Sequence, residues 1–459
     1  MTAWLRTPDA RWLIAVIAIA LAVRGVTVLA VHPDPRDGRF DDSVFYDTAA
    51  RHIAAGDGYV FDPTVWVTAD GSPVYPGETE LTPTALWPPG WPLTLGGIYA
   101  LSSDAVKAGR AANVVFGALT CGLVFLIALR LFGRPEAIAA GMALAVMPSH
   151  VLFTTILLSE TYFGFLLAAT LAICVYFVFG RERPLLPVIA GLGALIAWTG
   201  YVRGEYLLFG PIVAVLMLWQ WRAGGMPAIA ALAAGAALVV APWTVRNAIV
   251  MDEAIAGTTG SGRVMYQGHN PDADGGPSLI AVGRLEAPFA GLPRDEIERR
   301  SNEEGSRLAR EWALDHPVEE LKLAGLRMWQ LFRSDEAGVT WLQSNKPWFS
   351  AENADRLITI STAYFWAIAA IALAALPVWW RGSDLRRVVV AAVVPLYMIV
   401  FGVLFIGDPR YHYAMYIPLA VFAGAGVVAL ARLTAQQWRD VFGERRLGDV
   451  LRTYGTPPP

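Results

Sequence analysis

The chain has 459 residues, of which 55% are hydrophobic and only 16% are charged, against about 25% charged residues in an ordinary soluble protein. This deficit rules out a soluble globular enzyme as the default and predicts a polytopic membrane protein, in which 30 prolines and 43 glycines are also tolerated. The net charge is −3 and only three of the 36 basic residues are lysine. No basic tract therefore indicates a nucleic-acid partner.

Ten apolar runs are long enough, or nearly so, to cross a hydrocarbon core that takes roughly 20 residues of helix. Several are short or contain proline, so nine or eleven spans are open alternatives. The predicted fold is an all-α polytopic membrane protein with about ten transmembrane helices. The runs cover residues 12–31, 111–131, 137–153, 161–179, 185–201, 206–221, 226–245, 357–380, 388–407 and 411–431.

The distribution of arginine predicts the orientation of these spans. With the N-terminus in the cytoplasm, one set of short loops holds eight arginines and the opposite set holds only Arg203 and Arg410. Short cytoplasmic loops are enriched in lysine and arginine. We therefore expect a multi-pass protein of the plasma membrane with both termini in the cytoplasm.

This topology divides the chain into four parts. Two long segments, 32–108 and 246–356, are predicted to lie outside the cytoplasm. The parts are a membrane module at 1–245 whose first outer loop at 32–108 is expected to be catalytic, an extracytoplasmic segment at 246–356, C-terminal membrane helices at 357–431, and a cytoplasmic tail at 432–459.

The two outer segments carry their own predicted elements. Residues 295–313 and 318–332 have apolar positions at helical spacing, whereas the Gly/Thr/Asn-rich stretch 257–277 reads as a loop. Residues 92–103 are too few to span and predict an interfacial helix. Its neighbours Trp87 and Trp91 are typical of anchors at headgroup depth.

Ionisable residues at span ends are the candidate functional residues, because charge near the hydrocarbon is costly. A carboxylate such as Asp42 could take a proton from an incoming hydroxyl, and Arg410 with His412 could clamp a phosphate. On the predicted outer face the residues of this kind are Asp41, Asp42, Glu160, Arg203, Glu205, Asp408, Arg410 and His412.

Each of these residues also has a purely structural interpretation. An acid in the first turn of a helix, as at Asp42, often caps that helix or complements its dipole. The pairs Arg203 with Glu205, and Asp408 with Arg410, could be local ion pairs in short loops. Arg24 lies inside the first span, where it could extend outward or pair with Glu160 or an aspartate.

Several motifs of soluble enzymes do not occur in the sequence. It contains no P-loop, GxSxG, HExxH or CxxC motif, which weighs against a nucleotide-driven pump, a serine hydrolase and a zinc peptidase of those types. No cofactor is indicated with certainty. A divalent metal ion could bind to the acidic and histidine residues, but no close ligand spacing requires one.

The stretch DDSVFYDTAARHIAAGDGY at residues 41–59 resembles the first outer loop of GT-C superfamily membrane glycosyltransferases. The similarity is to the branch of the dolichyl-phosphate-mannose protein mannosyltransferases (glycosyltransferase family 39) and the aminoarabinose lipid A transferases. Further stretches of the superfamily pattern follow in the same order along the chain. They are WPPGWPL at 87–93, LSETYF at 158–163, PWTVRN at 242–247 with the Gly-rich stretch after it, and PRYHYAMYIP at 409–418.

The resemblance implies transfer of a sugar from a polyprenyl-phosphate carrier to a lipid, glycan or protein acceptor on the extracytoplasmic side, with inversion. Asp42 would be the general base, Arg410 with His412 and Arg203 would hold the phosphate, and Glu160 would organise the site. The substrate-binding residues carried over are Tyr46, Arg246 and Asn247. The family's Asp-Glu pair is Asp42-Ser43 here, preceded by Asp41, so the choice of base between Asp41 and Asp42 stays open.

Two alternatives of different classes use the same arginines. A transporter or flippase for a lipid-linked anion would need charges near mid-bilayer and repeated halves, and of these the sequence offers only Arg24. A glycan polymerase or ligase would share the outer active face but would use a pyrophosphate-linked donor.

Overall fold

The computed structural model describes residues 7–37, 42–66, 72, 75, 77–345, 347–379 and 384–443, and there the chain is almost entirely helical. The strands described, β1 (Val60–Phe61) and β2 (Thr82–Pro83), form one antiparallel pair in the first long segment. The helices are α1 (Pro8–Ala30), α2 (Asp42–Ala55), α3 (Gly90–Ala100), α4 (Ala105–Leu131), α5 (Arg134–Ala145), α6 (Pro148–Leu152), α7 (Glu160–Ile173), α8 (Leu186–Val202), α9 (Phe209–Trp221), α10 (Met226–Val250), α11 (Ser261–Gly268), α12 (Leu279–Glu286), α13 (Arg294–Asp315), α14 (Pro317–Phe332), α15 (Ala337–Asn345), α16 (Ala351–Ala374), α17 (Leu376–Trp379), α18 (Leu385–Ala391), α19 (Val393–Ile399) and α20 (Tyr416–Gly443).

The polytopic membrane fold is confirmed. Within the described residues, eight helices are long and apolar enough to cross a membrane. A ninth candidate is the pair α5 and α6, which is bent by 61° between its halves, and α8 is a shorter apolar helix of 17 residues. Each of the ten predicted apolar runs is therefore helical, and the uncertainty in the count concerns two of them.

Glycines allow two of the membrane helices to approach each other closely. A Cβ placed on Gly193 of α8 would lie 1.9 Å from the carbonyl oxygen of Leu232 in α10, and one on Gly235 of α10 would lie 1.8 Å from the carbonyl oxygen of Ala190. Small residues on facing positions let membrane helices pack backbone to backbone. This contact fixes α10, whose last turns carry Arg246 and Asn247.

Arg24 explains the break between α5 and α6. Its side chain is fully buried and donates hydrogen bonds to the carbonyl oxygens of Leu144 (3.3 Å) and Ala145 (3.0 Å) at the end of α5. It also contacts Nδ1 of His150 at 2.7 Å. The guanidinium thus compensates the negative end of α5 and adds a donor to its last two carbonyls, of which that of Leu144 also accepts the backbone N–H of Met147. Arg24 therefore does not extend outward, and it pairs neither with Glu160 nor with any aspartate that the structure describes.

The second long segment is largely as predicted, with one correction. The helices expected over 295–313 and 318–332 are α13 and α14. The prediction of a loop over 257–277 is wrong in part, because α11 occupies Ser261–Gly268. Its Gly262 packs so closely on α13 that a Cβ would lie 2.0 Å from the carbonyl oxygen of Asn302. The glycine at this position allows close helix packing, whereas the glycine-rich composition predicts a turn.

The helix expected over 92–103 is α3, but Trp91, expected as an anchor at headgroup depth, lies in the protein interior. Trp91 is fully buried, and its indole N–H donates to the carbonyl oxygen of Leu157 at 3.1 Å. Trp87 stacks on Phe45 of α2, with ring centroids 4.0 Å apart. Both rings fix the first long segment to the protein.

Candidate active site

Asp42 begins α2, and its carboxylate accepts hydrogen bonds from residues that are distant in sequence. Oδ2 accepts a hydrogen bond from Nη1 of Arg410 at 2.6 Å, and Oδ1 accepts one from the indole Nε1 of Trp87 at 3.3 Å. The side chain keeps 25% of its surface exposed, so a substrate hydroxyl can approach it. Asp41 lies outside the described residues.

Glu160 joins two arginines through one oxygen. It is the first residue of α7, a position where a carboxylate is favoured by the helix dipole. Oε1 accepts from Nη1 of Arg203 at 2.8 Å and from Nε of Arg410. Its other oxygen, Oε2, is buried and has no hydrogen-bond partner in the described part of the chain. An unpartnered buried carboxylate oxygen is costly unless a ligand or water satisfies it.

Arg203 lies in the turn between α8 and α9 and also bonds Glu205, from Nε to Oε1 at 2.7 Å. Three carboxylates (Asp42, Glu160 and Glu205) therefore face two guanidinium groups, and the cluster has a formal charge of −1. The Nη2 groups of Arg203 and Arg410 make no hydrogen bond to other described residues. Those groups are the donors available to an anion.

Two contacts set the position of Arg410 itself. Asp408 caps the 3₁₀ turn Pro409–Met415, because its Oδ1 accepts the backbone N–H of Arg410 at 2.8 Å. Its role is a cap, and the side chain of Arg410 is turned instead to Asp42 and Glu160. Burial raises the pKa of the Asp408 carboxyl. Trp341 of α15 lies against the guanidinium, 4.7 Å from ring centroid to Cζ.

Aromatic rings form the wall behind Asp42. Trp87 is stacked between Phe45 and Trp66, at centroid distances of 4.0 and 5.8 Å. Tyr46, one helical turn after Asp42, is buried. Burial and the Asp42 carboxylate raise the pKa of Tyr46, so its phenol stays protonated. Asp42 and Tyr46 are one helical turn apart and so share the face of α2 that is directed toward the cluster.

Arg246 holds the loop that carries Trp87, and Asn247 holds the segment after α10. Arg246 donates to the carbonyl oxygen of Thr84 at 2.9 Å, and Asn247 donates to that of Ile255 at 2.8 Å. From the other side the buried carboxylate of Glu298 accepts from the hydroxyl of Thr84 (2.7 Å) and from the backbone N–H of the following residue (2.9 Å). These contacts support the aromatic wall and do not reach the charged cluster.

His412 is separate from the charged cluster although only one residue stands between it and Arg410. Its ring is fully buried, with Nδ1 against the carbonyl oxygen of Leu331 (2.8 Å) and Nε2 against Oδ1 of Asp335 (3.0 Å). Tyr416 donates to the same Asp335 oxygen. Both ring nitrogens are thus occupied, and neither is available to a phosphate in this arrangement.

The geometry assembles four of the predicted site residues, Asp42, Glu160, Arg203 and Arg410, from four distant parts of the chain. No group of three or more His, Cys, Asp or Glu side chains that could hold a metal ion occurs among the described residues. The cluster can accept a proton at Asp42 and can offer guanidinium donors to an anion. Sequence reasoning missed the contact of Trp341 with Arg410, for which the sequence has no local signal.

Comparison with known proteins supports this reading of the fold. A family model described as dolichyl-phosphate-mannose-protein mannosyltransferase matches residues 87–245, about a third of the chain. No curated protein matches the sequence. The apo oligosaccharyltransferase of Archaeoglobus fulgidus aligns with a TM-score of 0.55 and 13% identity, over 96% of this chain and 53% of that one.

Two further solved structures are similar. The archaeal oligosaccharyltransferase AglB of Archaeoglobus fulgidus, in complex with an inhibitory peptide and a dolichol-phosphate, aligns with a TM-score of 0.50 and 13% identity, over 99% of this chain and 53% of that one. ArnT of Cupriavidus metallidurans bound to undecaprenyl phosphate aligns with a TM-score of 0.44 and 14% identity, over 95% and 81%. The chain thus spans about half the length of the archaeal protein, whose fold it shares. The resemblance to the GT-C superfamily is confirmed.

Proposed function

We propose that this protein is a membrane glycosyltransferase that moves a sugar from a polyprenyl-phosphate carrier to an acceptor hydroxyl at the extracytoplasmic membrane surface. The observation that carries the proposal is the contact between a partly exposed carboxylate, Asp42, and Arg410, at 2.6 Å, in a cluster that also holds Arg203. A base beside two phosphate-binding cations is what this reaction needs.

In the proposed reaction Asp42 accepts the proton of the acceptor hydroxyl while the oxygen of that hydroxyl bonds to the anomeric carbon. The bond from that carbon to the phosphate oxygen breaks, and the carrier leaves as its free phosphate. Attack opposite the leaving group inverts the anomeric centre. In this proposal the Nη2 groups of Arg203 and Arg410 bond the phosphate and stabilise the charge it gains.

Glu160 has a positioning role in this scheme. Because a single oxygen accepts from both arginines, it sets the distance and angle between the two guanidinium groups. A preorganised pair costs no reorganisation when charge develops on the leaving phosphate. His412 is outside the proposed phosphate site, since its ring nitrogens are occupied by Leu331 and Asp335.

The membrane fold supports a lipid-linked donor. Glu160 begins α7, Arg203 follows α8, and Arg410 precedes α20, so the charged groups meet at the ends of membrane helices. A carrier could keep its prenyl chain in the bilayer while its phosphate reaches the cluster. The similar archaeal structure with a dolichol-phosphate bound adds support for this class of donor.

The test is the lipid-linked sugar pool of cells that lack the protein, measured by mass spectrometry. We expect a donor to accumulate, and to be cleared when the wild-type protein is restored. Asp42→Asn should leave the donor uncleared at equal protein level in the membrane. Asp57→Asn is the matched control, because Asp57 follows the same helix, is exposed and contacts His52. Clearance by Asp42→Asn at the wild-type rate would refute the assignment of the base.

Reconstituted vesicles separate this proposal from its alternatives. Movement of the lipid substrate between leaflets with no new glycosidic bond would favour a transporter. A transporter needs a charge near the middle of the membrane, and the candidate for it, Arg24, is bonded to the end of α5. This contact weighs against the transporter hypothesis. Transfer from a pyrophosphate-linked donor in preference to a monophosphate would favour a polymerase or ligase.

A further inference from the structure

Large apolar side chains lie on the outward face of α14, a helix of the second long segment. Val318, Leu321 and Trp329 are 61, 76 and 66% exposed. Together with Gly325 and Phe332 they follow the spacing i, i+3, i+7, i+11 and i+14, which places all five along one side of the helix. We call this row the outward stripe. A row of this kind is larger than the single exposed apolar residues that any protein surface carries.

The opposite face of α14 is buried and holds a charged pair. Arg327 is fully buried, donates to the carbonyl oxygen of Gly402 at 3.0 Å and bonds Glu320 through Nη2. Leu323 and Leu331, four residues before and after the arginine, are buried as well. A helix between protein and water keeps its charged residues on the water side. In α14 the arginine lies inside and the large apolar side chains lie outside, which indicates that the stripe does not face water.

α14 lies at the level where a membrane helix ends beside the charged cluster. Gly402, whose carbonyl the buried arginine bonds, is two residues from the end of the candidate span Leu385–Leu404. The carbonyl oxygen of Leu404 itself contacts Nε2 of His269 at 3.1 Å, and Nδ1 of the same ring contacts Glu320 at 3.0 Å. These contacts hold α14 against the end of that span.

The outward stripe continues into the surface of another membrane helix. Phe332, its last residue, contacts Trp366 of α16, with ring centroids 6.2 Å apart. Trp366 is 46% exposed within the candidate span Ala351–Ala374, so its exposed side faces lipid. Trp329 precedes Phe332 by about one turn, and tryptophan is favoured at headgroup depth. Lys322 borders the stripe and is exposed, which suits the phosphate groups of phospholipids.

We propose that the outward stripe of α14 inserts into the bilayer leaflet on the side of the charged cluster, with phospholipid acyl chains around Leu321 and Trp329. The second long segment is then fastened to the membrane by a helix that does not cross it. The contact also supports the site. α14 ends beside His412, and α15, which follows it, carries Trp341 against Arg410.

The first experiment locates α14 with single nitroxide labels, read by electron paramagnetic resonance. The full-length protein is placed in liposomes of phosphatidylethanolamine and phosphatidylglycerol. Labels are attached at Val318→Cys and Leu321→Cys in the stripe, and at Glu303→Cys on the exposed side of α13 as the matched control. The two native cysteines are buried and do not compete for the label.

The measured quantity is the rate of collision of each label with oxygen and with a water-soluble nickel chelate. Oxygen concentrates among the acyl chains, whereas the chelate stays in water. We expect the ratio of the two rates to be several-fold higher for Val318→Cys and Leu321→Cys than for Glu303→Cys. A ratio equal to that of Glu303→Cys would place the stripe in water and overturn the proposal. Low collision rates with both reagents would mean that a protein, such as a second copy, covers the stripe, and would overturn it too.

The second experiment uses a conservative variant, so it does not depend on tolerance of new cysteines. Phospholipids with brominated acyl chains quench the fluorescence of tryptophans that they contact. Trp329→Phe keeps the stripe apolar and should lower the amount of fluorescence that these lipids quench. Trp91→Phe removes a fully buried tryptophan and should lower only the unquenched remainder. Equal quenched fluorescence in Trp329→Phe and the wild type would overturn the proposal. Neither experiment involves sugar transfer, so a failure of the proposed function leaves both results unaffected.

Discussion

The shared carboxylate of Glu160 gives the sharpest test of how the charged cluster works. Glu160→Gln keeps the shape of the side chain and removes the charge that holds Arg203 and Arg410 together through Oε1. An amide oxygen can still accept one hydrogen bond, so at least one guanidinium loses its fixed position. The substitution also changes the formal charge of the cluster from −1 to 0.

The two consequences act on different kinetic constants. Loss of preorganisation should lower kcat by about 10- to 100-fold, which corresponds to about 1.4–2.7 kcal/mol of transition-state stabilisation. Removal of a competing anion should leave KM for the lipid carrier unchanged or reduced. Because Glu160 is 1% exposed, we also expect lower thermal stability, within the roughly 3–5 kcal/mol that breaking a buried ion pair costs.

The assay is initial-rate transfer from lipid-linked donor in nanodiscs, with donor concentration varied. Glu205→Gln is the matched control, since Glu205 bonds Arg203 but makes no contact with Arg410 among the described residues. It should lower kcat less than Glu160→Gln does. A rise in KM at constant kcat would refute the reasoning, because it would mean that Glu160 contributes equally to binding of substrate and transition state.

Three further predictions concern the surroundings of the site. Trp87→Phe keeps the stack on Phe45 but removes the N–H that bonds Asp42, and transfer assays should show a fall of about fivefold, as for about 1 kcal/mol of hydrogen bond. Burial raises the pKa of Glu298, so the ionised carboxylate destabilises the folded state increasingly as the pH rises through the ordinary pKa of glutamate. The melting temperature of the wild type minus that of Glu298→Gln should therefore fall between about pH 4 and about pH 7. A constant difference would contradict this. Arg24→Met should lower the melting temperature in detergent, because the carbonyl of Ala145 at the end of α5 loses its hydrogen bond from Arg24. An unchanged melting temperature would mean that this carbonyl finds another partner.

The membrane fold could be predicted because hydrophobic runs report directly on burial in lipid. All ten runs are helical over most of their length, and their boundaries differ from the observed helix ends by up to twelve residues. A break in the run 137–153 could be expected from its proline, Pro148, which begins α6. The hydrogen bonds that Arg24 makes to the end of α5 could not, since Arg24 lies more than a hundred positions earlier. The helix α11 was missed because a glycine-rich composition does not distinguish a turn from a close helix contact.

The candidate site could be predicted as a set of residues but not as a geometry. Sorting the few charges by predicted side of the membrane was enough to select Asp42, Glu160, Arg203 and Arg410. It could not separate His412 from Arg410, because the structure gives the histidine ring a buried partner, Asp335, that lies 77 residues away in sequence. The partners of buried polar groups are set by tertiary contacts that no local pattern encodes.

The proposed reaction places a requirement on the order of events at Asp42. In the structure Oδ2 of Asp42 accepts from Nη1 of Arg410 at 2.6 Å, so this oxygen is already engaged when an acceptor hydroxyl arrives. A phosphate that binds the free Nη2 of Arg410 offsets the guanidinium charge and so weakens the hold of Nη1 on Asp42. The carboxylate then becomes available to an acceptor hydroxyl. Deprotonation of the acceptor would thus be coupled to the presence of the donor phosphate, because the residue that holds the phosphate is the residue that restrains the base.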